Sequence, residues 1–347
     1  LKTLEEERRS LRSTLEPRQL ALAVAEEHPV DLPVHIRGSH LNLAPDPVPR
    51  GFLRVARTPG VPPPPADRSG RLELARWILD PANPLPARVV VNRIWQGHFG
   101  EGLVRTPDNF GLRGEAPSHP ELLDWLAREF VRGGWSVKAL HRLLLTSRTW
   151  RQVSGPAPSA DPGHRLLSRF PRQRLEAEMV RDGLLAVSGR LDRAAGGTLV
   201  DWKNNEYVPG DDVSPASVRR SVYLPIVRDR VFDALTTFDF ASPSVGTARR
   251  TPTVVTPQAL FLLNSPLVRE SARALATSLL ERRDLDDAGR VGLAYQRVLA
   301  RPPRPEEAHR ALAFLAGQAG TDGAGRNAGW AAWCQVLLAS NEFLYRD

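Results

Sequence analysis

The sequence predicts a mainly α protein: a multi-helix bundle with a small β element near the N-terminus and a short strand at 220–226. Three observations carry that expectation. Apolar residues recur at helical spacing in most segments after residue 69, serines that can cap helices stand before several of them, and alternating runs are few and short. At 347 residues and 41% hydrophobic composition, the chain can bury a sizeable core.

In order, residues 1–27 read as a charged connector helix, with Glu5, Glu6 and Glu7 ahead of Arg8, Arg9 and Arg12 and a thin line of Leu4, Leu11 and Leu15. Val34–Arg37 and Phe52–Val55 form the β element, and a proline-rich linker follows at 59–67. Ser69 caps a helix to Leu79, and Ala87–Phe99 is the next, with Val90, Val91, Ile94, Trp95 and His98 on one arc and Asn92, Arg93 and Gln96 on the other. Ser118 and Glu121 make a capping box for a helix burying Leu122, Trp125, Leu126 and Phe130. Ser136 caps one carrying Leu140, Leu143 and Leu144, and Arg172–Ser188 is another, closed by Gly189. Residues 190–217 form a polar loop, Val231–Phe238 a helical turn, and helices follow at 257–281, 286–299, 305–317 and 327–343. Leu144–Trp150 and Leu337–Phe343 share the pattern LLxSxx-aromatic, which raises two related helical halves as an arrangement. The expected regions are therefore 1–58, the 59–67 linker, a first helical region at 68–192, a loop-rich middle at 193–256 and a C-terminal helical region at 257–347.

Composition excludes several function classes. A single cysteine, Cys334, leaves no internal disulfide, CxxCH haem site or multi-cysteine zinc site in the chain. No run of about 18 apolar residues is present, so no transmembrane helix is expected in this stretch. The nucleotide, zincin and hydrolase-elbow motifs are absent. A start at Leu1 with Met179 as the sole methionine marks a fragment of a longer polypeptide, with any targeting segment upstream. The formal charge of +8 comes almost wholly from arginine, scattered among glutamates rather than gathered in a block.

The residues able to carry chemistry are few. Glu178 and Asp182 sit one turn apart, in a face shared with Leu175, Met179 and Ala186, so they must be paired or one must be protonated. An inter-helix ion-pair network of Arg93, Arg174, Glu178, Arg181 and Asp182 is the plainer reading, and a general acid/base pair the sharper one. His98 reads as a core histidine and His119 as an exposed residue at a helix start. Asp201, Asn204, Asn205, Glu206, Asp211 and Asp212 are oxygen-rich, but their spacing does not fit a calcium-binding EF-hand loop. No cofactor or metal site is expected in this chain.

The string NPLPARVVVNRIWQGHFGEGLVRTPDNFG from residue 83, then PSHPELLDWLAREFVRGGWSVKALHRLLLTSRTWRQ, RRSVYLPIVR, FDFASPS, TPQALFLLNSP and QVLLASNEFLYRD, resembles the planctomycete-specific C-terminal domain of unknown function, from about residue 34 to the end. In that family the domain follows a cytochrome-c-like segment in large exported proteins. The resemblance thus implies an exported or envelope location, a haem c in an upstream domain, and upstream domains or envelope proteins as partners. It implies no activity and no catalytic residues. The polar residues in its motif cores are Asn92, Arg93, His98, Asp108, His119, Glu178, Asp182, Asp239 and Gln258, and the family's usual Asp-Pro-x-Asn-Arg here has His164 for the asparagine.

The leading expectation is an interaction or scaffold domain. A first rival is a hydrolase acting on an extracellular polymer, with Glu178 or Asp182 open to a cleft within about 6 Å of His98, His119 or Asp239. A second is nucleic-acid binding through a continuous arginine face.

Overall fold

The computed structural model describes residues 5–8, 10, 28–56, 58, 60–155, 158–197, 217–226, 228, 231–318 and 323–346. It is mainly helical, as expected, and divides into two compact units, Leu1–Ala87 and Arg88–Asp347. Most of the 1–27 connector and all of the 201–212 loop lie outside the described residues.

In the first unit, β1 (Leu32–His35) pairs antiparallel with β2 (Leu43–Val48), Leu32 opposite Val48 and His35 opposite Leu43. The second strand therefore precedes the Phe52–Val55 run assigned to it from sequence. Phe52 instead stacks on Trp77 at 5.3 Å, where it is worth more as an aromatic contact than as a strand residue. Trp77 belongs to α1 (Arg71–Leu79), and its indole N–H donates to the Ala56 carbonyl at 2.8 Å. The proline-rich run lies inside this unit.

Helix α2 (Pro84–Phe99) starts three residues earlier than its apolar periodicity suggested. Asn83 Oδ1 accepts from Leu85 N at 3.3 Å, and Pro84 suits a first turn that needs no N–H. Asn92, assigned to the polar face, is fully buried: its amide brackets Val104, donating to that carbonyl at 2.9 Å and accepting from that N–H at 2.8 Å. Buried backbone needs partners, and here a side chain supplies both. Helix α3 (Pro120–Arg132) begins without the capping box. Pro120 sets the first helical position, which leaves Ser118 one residue too early, and its hydroxyl meets His119 Nδ1 at 3.0 Å. The buried stripe of α3 is Leu123, Leu126, Ala127 and Phe130, and Trp125 is exposed rather than buried. Ser136 does cap α4 (Val137–Leu145), accepting from Ala139 N at 3.3 Å. Val91, Trp95, Phe99, Leu126, Phe130, Leu144 and Phe170 form the core of this half.

The expected helix at 172–188 is shorter. Gln173–Arg174 is strand β3, and only Ala177–Val187 is helical (α5). Propensity yields to a tertiary partner, because β3 pairs antiparallel with β4 (Tyr345–Arg346) at the chain's end. The α5 face also differs from expectation: Val180, Arg181, Leu184 and Leu185 are buried, while Met179 and Ala186 are exposed. The strand expected at 220–226 is a 3-10 turn, Ser221–Tyr223, since Ser221 turns back to bond Asp182.

Helix α6 is Asp233–Thr237. The expected 257–281 helix is two, α7 (Thr256–Asn264) and α8 (Pro266–Leu280), because Pro266 has no N–H and holds Ser265 extended. Helices α9 (Asp287–Leu299), α10 (Pro305–Gln318), α11 (Gly323–Leu338) and α12 (Asn341–Leu344) complete the chain. The α8 stripe of Val268, Ala272, Leu275, Ala276 and Leu279 packs along α11, closing a second core with Leu184, Val291, Trp330, Cys334 and Leu338. At the junction of the cores, Gly100 ends α2 with φ of 81°, and a side chain there would press on Gln173 at 3.0 Å.

Candidate functional site

Where the two cores meet, the chain leaves a cavity of about 1150 Å³. Its wall is built from the end of α2, the 162–165 loop, β3, the 246–254 loop and β4. Asp161 shapes the second of these, its carboxylate accepting from Arg165 N at 2.7 Å, Leu166 N at 3.0 Å and the Ser168 hydroxyl at 3.3 Å. Eight arginines line the cavity against four carboxylates, so its charge depends on which of them are paired.

Three of the four carboxylates are neutralised within the wall. Asp239 meets Arg174 at 3.1 Å and accepts from Thr253 N and Oγ1 at 2.8 and 2.7 Å. Glu101 pairs with Arg249 at 2.6 Å, and Glu176 with Arg250 at 3.3 Å. Gln258 ties the Arg174 corner together, accepting from that guanidinium at 3.2 Å and donating to Thr237 O at 3.1 Å. Arg93, Arg105 and Arg346 have no ion-pair partner among the described residues, and the wall keeps an excess of positive charge. Arg346 is partly buried over the rings of Trp150 and Phe170, at 5.1 and 5.6 Å, and donates to the His98 carbonyl. That burial lowers the Arg346 pKa, and the Glu176 field offsets it only in part.

Strain and unmet hydrogen bonds concentrate in the same wall. His164, Leu167 and Asp239 hold left-handed backbone at φ of 51°, 53° and 63°. Gln96 Oε1, His164 Nδ1 and Arg174 Nε are buried without a partner, although the Arg174 side chain is only 5% exposed. Buried polar groups in folded proteins are mostly paired, with protein or with ordered water.

The residues singled out from sequence are not brought to one place. Glu178 receives both guanidinium nitrogens of Arg250, at 2.6 and 2.8 Å. Burial is the largest single influence and raises its pKa, but the Arg250 hydrogen bonds, the backbone N–H of Glu178 and the Arg250 charge together outweigh it, and the net shift is downward. Asp182 accepts from Ser221 N and Oγ at 2.8 and 2.7 Å and meets Arg181 at 3.4 Å. His98 Nε2 lies 2.6 Å from His141 Nδ1; burial, then His141, then Arg346 lower its pKa. His119 Nδ1 lies 3.0 Å from the Ser118 hydroxyl. Neither Glu178 nor Asp182 shares a hydrogen bond with His98, His119 or Asp239. In the expected ion-pair network the Arg181–Asp182 contact forms. Arg174 turns instead to Asp239, sixty-five residues on, because β3 carries it away from α5. Arg93 lines the cavity and exposed Asp108 sits at its wall. Sequence reasoning missed Arg250 and Arg346, which have no local pattern to reveal them.

A family model described as PSD1, a protein of unknown function (DUF1553), matches residues 70–315. The chain belongs to the DUF1553 family. No curated protein and no solved structure matches it. Most of the cavity wall of this DUF1553 chain falls inside the matched stretch, while β4, with Tyr345 and Arg346, lies beyond it. Among the described residues no group of three His, Cys, Asp or Glu side chains could hold a metal ion, and no helix is long and apolar enough to cross a membrane.

Proposed function

We propose that this DUF1553 chain is a non-catalytic interaction module that recognises an anionic group of its partner at the arginine-lined cavity. The observation that carries the reading is the pairing pattern of the wall. Three of its four carboxylates are taken up by Arg174, Arg249 and Arg250, while Arg93, Arg105 and Arg346 have no ion-pair partner among the described residues. An excess of guanidinium groups in a partly desolvated cavity attracts an anion strongly, since screening there is weaker than on an open surface. The non-catalytic part is supported by Glu178 and Asp182, each held by hydrogen bonds that leave neither as a ready proton acceptor.

The resemblance supports a place for this module in an exported multidomain polypeptide, with a haem c upstream and upstream domains or envelope proteins as partners. Extending the reading frame upstream of Leu1 tests that placement; a free-standing frame without an export signal or CxxCH would end it. The binding reading is tested by calorimetric titration with citrate, a compact tricarboxylate. Heat of binding at low salt that disappears in Arg93→Glu is expected. No binding, or binding indifferent to Arg93→Glu, removes the cavity as an anion site.

A further inference from the structure

The aromatic residues around the cavity narrow the class of anion. Arg172 lies over the Tyr345 ring at 5.4 Å, Arg174 over Phe238 at 5.4 Å, and Arg346 over Trp150 at 5.1 Å. Each ring backs a guanidinium plane and so restricts its orientation before any ligand arrives. The same stacking uses up the ring faces. Tyr345 is covered by Arg172, and Trp95, Phe99 and Phe238 are each no more than 4% exposed. A sugar ring or a nucleobase binds largely by lying flat on an open aromatic face, and single-stranded nucleic acid is held by such platforms. Guanidinium groups line this wall instead, and a guanidinium fork matches a planar carboxylate two bonds at a time. The volume, about 1150 Å³, is at or above the upper range for compact small-molecule pockets and suits an extended chain bearing several charges.

We infer that the ligand of the cavity is an acidic peptide segment of a partner protein, its Asp and Glu carboxylates received by Arg93, Arg105 and Arg346. The inference rests on the anion-binding reading and adds the chemical class of the partner. Recognition of acidic motifs by arginine clusters is an established mode of peptide binding. Arg346 serves here by geometry as well as charge. Its guanidinium plane is fixed by two rings and by a bond to the Gln173 side chain at 2.5 Å, so a lysine in its place would keep the charge and lose the fork.

The test uses the whole 347-residue chain and fluorescence anisotropy of three labelled probes of equal charge: octaglutamate, a sulfated oligosaccharide and oligothymidylate. Octaglutamate is expected to bind tightest, with affinity falling as salt rises. Arg93→Glu, an exposed position, is expected to weaken it about tenfold or more. Arg346→Lys is expected to weaken it by a similar factor, with near-UV circular dichroism confirming the fold. Tighter binding of the oligosaccharide or the oligonucleotide, still sensitive to Arg93→Glu, overturns the peptide class and leaves the anion site standing. Absence of binding by all three probes, or binding that ignores Arg93→Glu, overturns both.

Discussion

The Glu178–Arg250 pair separates a structural carboxylate from a catalytic one, and its energy follows from its geometry. Two parallel charge-assisted hydrogen bonds, 2.6 and 2.8 Å long, join α5 to the 246–254 loop. A shielded hydrogen bond to a charged group contributes about 1.5–3 kcal/mol. Here 29% of the Glu178 side chain and 25% of Arg250 remain open to solvent, which reduces the coupling of the pair to about 1–2 kcal/mol. Glu178→Gln, Arg250→Gln and the double variant, compared by urea unfolding at constant m, measure that coupling directly. The pH dependence adds a sign. Glu178 has a folded pKa below its ordinary 4.5, so its contribution is present above that pH and is lost as pH falls below it. In Arg250→Gln burial, the largest single influence, is opposed only by the backbone N–H of Glu178, so the pKa moves up from its wild-type position. The variant should then gain stability relative to the wild type as pH falls through about 4.5. A coupling below about 0.5 kcal/mol, or an unchanged pH slope in Arg250→Gln, would refute the structural assignment.

Three further outcomes are expected. Asn92→Ala strips both partners from the buried Val104 backbone and opens a small void, so it should cost about 3–5 kcal/mol in denaturant unfolding; a loss under 1 kcal/mol would show the amide to be dispensable. His98, whose folded pKa lies below 6.5, binds its proton more readily when unfolded, so the melting temperature should drop as pH falls below about 6.5. His98→Gln should flatten that drop, and an equal slope in both proteins would remove His98 as its cause. The Cys334 thiol, fully buried and with its pKa pushed up to about 12, should resist Ellman's reagent in the native protein and react on unfolding; rapid native labelling would contradict its place in the core.

What the sequence revealed and what it hid divide along the range of the interactions. The helices with strong periodicity and a local cap were legible: Ser136 stands at the start of α4 and Asp286 caps α9, accepting from Gly289 N at 2.8 Å. Errors arose where a distant segment decided. Arg172–Glu176 has helix-forming residues, yet β4, over 170 residues away, draws Gln173–Arg174 into a strand. Asn92 belongs to the polar side of a helical wheel, but the wheel knows nothing of the Val104 loop that needs its amide. The burial stripe of α3 slipped by one residue for Leu122 and Trp125, because adjacent apolar residues fit two overlapping stripes and only packing decides between them. Every ion pair lining the cavity spans a long stretch of chain, and no periodicity or spacing rule reports such pairs.

The LLxSxx-aromatic echo reappears in the structure as one local geometry in two places. Ser147 Oγ donates to Leu144 O at 2.7 Å and accepts from Trp150 N at 3.1 Å, and Ser340 Oγ does the same with Leu337 O and Phe343 N, at 2.7 and 3.3 Å. The two helices α4 and α11 thus end in one local geometry, each delivering an aromatic ring to its own core. Trp150 packs edge-on to Phe99 and Phe170, and Phe343 is buried in the second core. Past Phe343, Tyr345–Arg346 form β4 against β3, which sets Arg346 over the Trp150 ring of the other half. The matching endings thus seat one aromatic ring in each core, and β4 then carries Arg346 from the second core to the first. Left-handed backbone, orphaned polar atoms and unpaired guanidinium groups are each unfavourable for folding. Their coincidence in one wall, beside two well-packed cores, is a local inconsistency of the kind functional sites show, which makes this wall the first place to test the proposed binding.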